Sequence, residues 1–162
     1  MQLRTLFPVL GQALRHRSRL GRALAVGTVA LATGGAAPPT ATLEVQVHSL
    51  RSSKGLVQVC LTSKPKHFPE CEDDASAVKA TVPAASSIEL NFTKLKPGRY
   101  AIALLHDENG NGKVDTTLMI PNEGFGFSRD ARVVMGPPSF DAAAFDLAAG
   151  SNRQRIGMRY LF

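Results

Sequence analysis

The chain has 162 residues, 44% of them hydrophobic and 20% charged, which is the composition of one folded domain with a short appendage and excludes a disordered chain. Its net charge of +6 is unevenly placed: residues 1–36 hold five arginines and no acid, and the other 14 basic and 13 acidic side chains nearly cancel. The folded part therefore has no clustered Lys/Arg surplus, Trp is absent and Tyr occurs twice, which argues against any nucleic-acid binder working through phosphates or base stacking.

In chain order, a basic stretch ends at Arg22, residues 23–33 form an apolar run, and Gly34-Gly35-Ala36-Ala37 lead into Pro38-Pro39. Basic, then apolar, then small is the order of a secretory signal peptide. The run is well short of the roughly 20 apolar residues a spanning helix needs, and no lipobox cysteine follows it. The expectation is a signal peptide over 1–36, a linker over 37–41 and a domain over 42–162. The mature chain is then periplasmic or secreted, with no stable membrane span once the signal is removed. An uncleaved anchor is the competing reading.

Beyond residue 41 the periodicity is two. Leu43, Val45 and Val47 alternate with Glu44, Gln46 and His48, a half-buried strand. Arg51-Ser52-Ser53-Lys54-Gly55 is a turn, and Val57, Val59 and Leu61 resume the alternation, so the two runs are expected to pair as an antiparallel hairpin. Cys60 and Cys71 are the only cysteines; in an exported chain an even pair reads as a disulfide. A zinc reading with His67 between them, C-x6-H-x3-C, matches no common pattern and lacks a fourth ligand. Residues 62–83 carry Pro65, Pro69 and Pro83 and no periodicity, and are expected to form a long loop. Ile88, Leu90 and Phe92 make a strand, Lys94-Leu95-Lys96-Pro97-Gly98 a turn, and Tyr100, Ile102 and Leu104 a strand leading into His106. Weaker strands are expected over 132–135, 143–147 and 155–162. About seven short strands separated by turns predict an all-β fold, a single antiparallel β-sandwich.

Asp107-Glu108-Asn109-Gly110-Asn111-Gly112-Lys113-Val114-Asp115 stands apart. Side-chain oxygens fall at positions 1, 3, 5 and 9 of this stretch, Gly112 sits at position 6, and the Lys113 carbonyl occupies position 7. That spacing lets a short loop wrap oxygens around a hard cation, which wants six to eight of them. Asp107, Asn109, Asn111, Lys113 and Asp115 are thus the candidate ligands for Ca²⁺. Leu118 stands where an EF-hand needs Glu, and a strand enters instead of a helix, so this is not an EF-hand. Glu123 and Asp130 are the nearest acids able to complete the shell. The same residue types also make plain turns. With two loop carboxylates, affinity should be of the order of 10⁻⁴–10⁻³ M, a structural site. Beyond the loop, Phe125, Phe127 and Phe140 lie in an irregular Gly/Pro-rich segment, which either forms a lip for a ligand or packs as a crossover.

H-D-E-N-G-N-G-K-V-D, followed by P-N-E-G-F-G-F-S-R-D-A and G-P-P-S-F-D-A-A-A-F, resembles domain-of-unknown-function family 2141, small exported bacterial proteins. G-L-V-Q-V-C-L, H-F-P and L-K-P-G-R-Y-A-I-A-L-L fit as well, so the likeness spans about residues 42–162. L-x-P-G-x-Y-x-I also looks like the prealbumin-like domains attached to carboxypeptidases. The resemblance implies an exported, immunoglobulin-like or prealbumin-like sandwich and supplies no activity. Thr116-Thr117-Leu118-Met119 departs from the family pattern, where an aromatic and a glycine are expected.

An enzyme needs a nucleophile or acid–base pair with a supporting partner. Ser128 and Ser139 lack a nucleophile elbow, and His106 and Asp107, adjacent on a strand, point to opposite faces. The reading is a non-catalytic exported module of unknown specific role, stabilised by weak Ca²⁺ binding in the 107–115 loop. Its partner would be an unidentified protein or small molecule. The alternatives are a periplasmic carrier or sensor that binds a small ligand or peptide near residues 120–140, and a metal-assisted hydrolase.

Overall fold

The computed structural model of the protein describes residues 37–112, 116–117 and 120–161. The expected signal segment, the candidate ligands Lys113 and Asp115, and Phe162 lie outside the described residues. The elements are β1 (Ala41–His48), β2 (Leu56–Thr62), β3 (Val78–Pro83), β4 (Ile88–Leu95), β5 (Gly98–Asp107), β6 (Thr116–Thr117), β7 (Ile120–Pro121), β8 (Gly124–Phe127), α1 (Phe140–Ala143), β9 (Phe145–Leu147) and β10 (Gly150–Gly157). One sheet runs β10-β1-β4 and the other β3-β2-β5-β8, with β9 pairing the start of β5; β6 and β7 form a ribbon of their own. Among the described residues no helix is long and apolar enough to cross a membrane.

The period-two pattern builds the core. Leu43, Val45 and Val47 from β1 meet Val57 and Leu61 from β2, Ile102 from β5 and Ile156 from β10, all with no exposed surface. Each such side chain contributes roughly 1.5–3 kcal/mol by leaving water. The intervening residues of β1 are half-buried or exposed, whereas on β2 and β5 several are buried. On the far side of their sheet Cys60, Ala101 and Ala103 pack with Phe127, Phe140 and Ala143 in a second buried cluster. Phe68 stacks edge-on against Phe127 at 5.9 Å and Phe140 at 6.0 Å. The all-β sandwich is therefore polar on one outer face and roofed on the other.

Two anchors hold the roof. Cys60 and Cys71 form a disulfide across 5.7 Å between Cα atoms, as their number suggested. Asp74, 4% exposed, accepts from Thr62 Oγ1 (2.7 Å), Lys64 Nζ (2.8 Å), Ser76 Oγ (2.6 Å) and the Ser76 amide (2.9 Å), which ties both ends of the 63–77 strap to the end of β2.

Several pairings differ from the expectation. β1 and β2 are not a hairpin: β1 pairs with β4 and β10, β2 with β3 and β5. Residues 49–55 cross between the sheets, helped by left-handed backbone at Ser49 and Gly55. The β1–β10 pair is parallel, so the sandwich is not wholly antiparallel. The expected long loop ends in β3, whose Val78, Ala80 and Val82 alternate half-buried at a sheet edge. Residues 132–135 form no strand; Val134 and Met135 are 85% and 99% exposed. β9 begins only at Phe145, after the helical turn α1, which Ser139 caps by accepting from the Ala142 amide. The last strand starts at Gly150 and ends at Gly157, beyond which one bridge joins Arg159 to Phe125.

Lys64, then Ser76 and Thr62, hold the Asp74 carboxyl well below the usual carboxylate range. A folded-state value below the unfolded one means that Asp74 stabilises fully above about pH 4 and progressively less as pH falls below it. Urea midpoints measured from neutral pH to pH 2 should therefore show Asp74→Asn less stable at neutral pH and flatter than wild type below about pH 4. Parallel curves would refute this role.

Candidate functional site

β5 delivers two polar residues to its C-terminal end. Alternation sends His106 into the core beside Val57 and Asp107 to the opposite face beside Leu56, both with no exposed surface. They cannot work as a pair. His106 is fully engaged: its Nε2–H donates to the Lys54 carbonyl (2.8 Å), which leaves Nδ1 to accept from the Tyr160 hydroxyl (2.7 Å). The Tyr160 oxygen in turn accepts from the Arg51 amide (3.2 Å). Burial pushes the Tyr160 phenol up, so it stays protonated and able to donate. The Arg51 guanidinium lies 4.4 Å over the Tyr160 ring, donates to the Asn122 carbonyl (2.9 Å) and pairs with Glu108, whose other oxygen accepts from Ser52. Arg51 first, then Ser52, holds the Glu108 carboxyl below its ordinary value. Glu108 is thus spent on the turn and is no ligand for the loop.

Two glycines are required here by close approach. At Gly55, with φ +71°, a Cβ would sit 2.0 Å from the Asp107 carbonyl oxygen, and at Gly124 a Cβ would sit 2.2 Å from the Tyr160 ring. The backbone presses directly on the residues that start the loop.

Asp107 organises that loop. Its Oδ1 accepts from the amides of Gly110 (2.7 Å) and Asn111 (3.2 Å), its Oδ2 from Gly112 (2.7 Å) and from the Gln58 side chain (3.4 Å). The Asn111 amide also reaches Asn109 Oδ1 at 3.0 Å. Four donors match the roughly four lone-pair positions of a carboxylate. The contact to Gln58 is the longest of the four. Asn109 and Asn111 are exposed. Of the more distant acids, Glu123 is 4% exposed within the field of Arg51, and Asp130 accepts from the Gly157 amide (3.2 Å). Among the described residues no three His, Cys, Asp or Glu side chains converge on a point that could hold a metal ion.

Beside the loop, an open cleft of about 640 Å³ lies on the roofed face of the β3-β2-β5-β8 sheet. Its floor carries Gln58, Leu105 and Thr81, Lys79 stands at one side, and Glu70 and Glu72 hang from the strap. Gly112 of the loop and Pro137 of the 131–139 segment complete the rim, with Phe127 below. Only Phe127 belongs to the aromatic lip read from sequence; Phe140 is buried in the second cluster. The cleft residues were not singled out by spacing, because they come from separate segments that only the strand register and the disulfide bring together. Arg51, Glu108 and Tyr160 escaped for the same reason.

A family model described as "uncharacterized protein conserved in bacteria (DUF2141)" matches residues 45–155, which takes in the second half of β1, β2 to β9, the loop, the cleft and most of β10. No curated protein and no solved structure matches the chain.

Tyr160→Phe removes the hydroxyl between the Arg51 amide and His106 without altering the ring. The expected cost is about 1–3 kcal/mol of stability, because the buried imidazole nitrogen loses its donor. Chemical denaturation reads it, and an unchanged midpoint would show the contact to be idle.

Proposed function

We propose that this chain, which belongs to domain-of-unknown-function family 2141, is an exported, non-catalytic module whose 107–115 loop takes Ca²⁺ weakly and for stability. The observation that carries the reading is the loop's order. Asp107 gathers the amides of Gly110, Asn111 and Gly112, and Asn109 Oδ1 accepts from the Asn111 amide, so the loop is closed on its first residue. The spacing of Lys113 and Asp115 supplies the remaining local oxygens, and a cation would exchange for the long Gln58 contact. No step of chemistry is assigned: His106 is enclosed by Tyr160 and Lys54, and Ser128 is spent between the Ile102 amide (2.9 Å) and the Ala143 carbonyl (2.6 Å). Export rests on the charge and hydropathy order of residues 1–36 and on the disulfide.

The cleft favours a second role on the same scaffold, that of carrier or sensor. Its volume falls within the range of roughly 300–1,000 Å³ typical of small-molecule sites.

The loop is tested by melting the oxidised protein in chelator and then in about 10 mM calcium, where a dissociation constant near 10⁻⁴ M adds about 2.7 kcal/mol. Tm should rise by roughly 10 °C, since each kcal/mol shifts Tm by about 4 °C for a domain between 100 and 150 residues. Magnesium should not reproduce the rise, and Asp107→Asn should abolish it. Equal melting in chelator and calcium would make the stretch a metal-free turn.

A further inference from the structure

We infer that the cleft binds a zwitterionic head group carrying an apolar body, the chemistry of a free α-amino acid. This rests on the carrier reading of the cleft and names its ligand class. Register divides the floor into two rows. One runs Lys79–Cys60–Ala103–Phe127 and the next Thr81–Gln58–Leu105–Phe125. The disulfide places Cys71 above Cys60, so Glu70 and Glu72, which flank Cys71, overhang the row that holds Lys79. Charges of both signs therefore collect at one end of the cleft. None of Glu70, Glu72 and Lys79 has an ion-pair partner among the described residues, although all three are exposed.

The other row has no charge. Leu105 is half-buried, with Gln58 and Thr81 beside it as neutral hydrogen-bonding groups. A ligand with one charge would leave either the carboxylates or the ammonium unmatched, and a ligand with charges at distant ends would set one against Leu105. An α-amino acid carries its ammonium and carboxylate on one carbon. Its ammonium can face Glu70 and Glu72 and its carboxylate Lys79, as charge-assisted contacts, while the side chain lies along Leu105 and Ala103. Only one charged end and one apolar end are needed, and the cleft supplies one of each.

The test is a chemical-shift titration of the ¹⁵N-labelled protein with L-leucine, N-acetyl-leucine and leucinamide, read at Ala103, Leu105 and the Gln58 side-chain amide. Leucine should shift these signals saturably, and blocking either charge should weaken binding about tenfold or more. Glu70→Gln with Glu72→Gln, and separately Lys79→Met, should weaken leucine binding to the same degree with an unchanged Tm, since all three side chains are exposed. Leucinamide binding as well as leucine would make this a cation site, and N-acetyl-leucine binding as well would make it an anion site. Either result overturns the zwitterion while leaving the carrier reading. If none of the three moves the cleft signals, both fall.

Discussion

The arrangement depends most on the side-to-side alternation along β5. One strand must fill the core with Ile102 and Leu104 and line the roofed face with Ala101 and Ala103. Only small residues on the second side leave room for the Phe127 and Phe140 cluster. Carried to the strand end, the same alternation commits His106 to the interior and Asp107 to the loop. A shift of one residue would exchange them, burying a carboxylate against Val57 and leaving an imidazole, with at most one acceptor nitrogen, to hold three backbone amides. The core thus dictates how the loop begins.

The alternating patterns of β1, β2, β4 and β5 were legible because each strand has one predominantly apolar face. Their pairing was not, since alternation reports which face is buried and says nothing about which neighbour supplies the hydrogen bonds. β3 was hidden by its edge position, where half-burial of Val78, Ala80 and Val82 weakens the contrast. Residues 132–135 show the opposite case, an apolar run that the chain leaves in solvent at Val134 and Met135. Apolar content alone does not report burial.

The site divides in the same way. The loop could be read because its donors lie within a few residues of one another, and the disulfide because only two cysteines exist. The contacts that brace the loop join Arg51 to Glu108 and Tyr160, and His106 to Lys54, over separations of more than fifty residues. The cleft is less local still: strand register sets its floor, and the strap is hung above it by Cys71 and Asp74. Roof and site are one construction, for the strap that seals Phe68 over the sheet also carries Glu70 and Glu72 to the rim.

The parallel pairing of β1 with β10 has a mechanical consequence. Ala41 lies opposite Gly150 and His48 opposite Gly157, with eight residue pairs in register between the first and last long strands. Tension entering at Ala41 and leaving beyond Gly157 pulls these strands along their own axes in opposite directions. Evenly spaced parallel-ladder bonds then share the load and must shear together, whereas a hairpin pulled at its open end would unzip bond by bond. The two ends of the domain are joined as a lap joint.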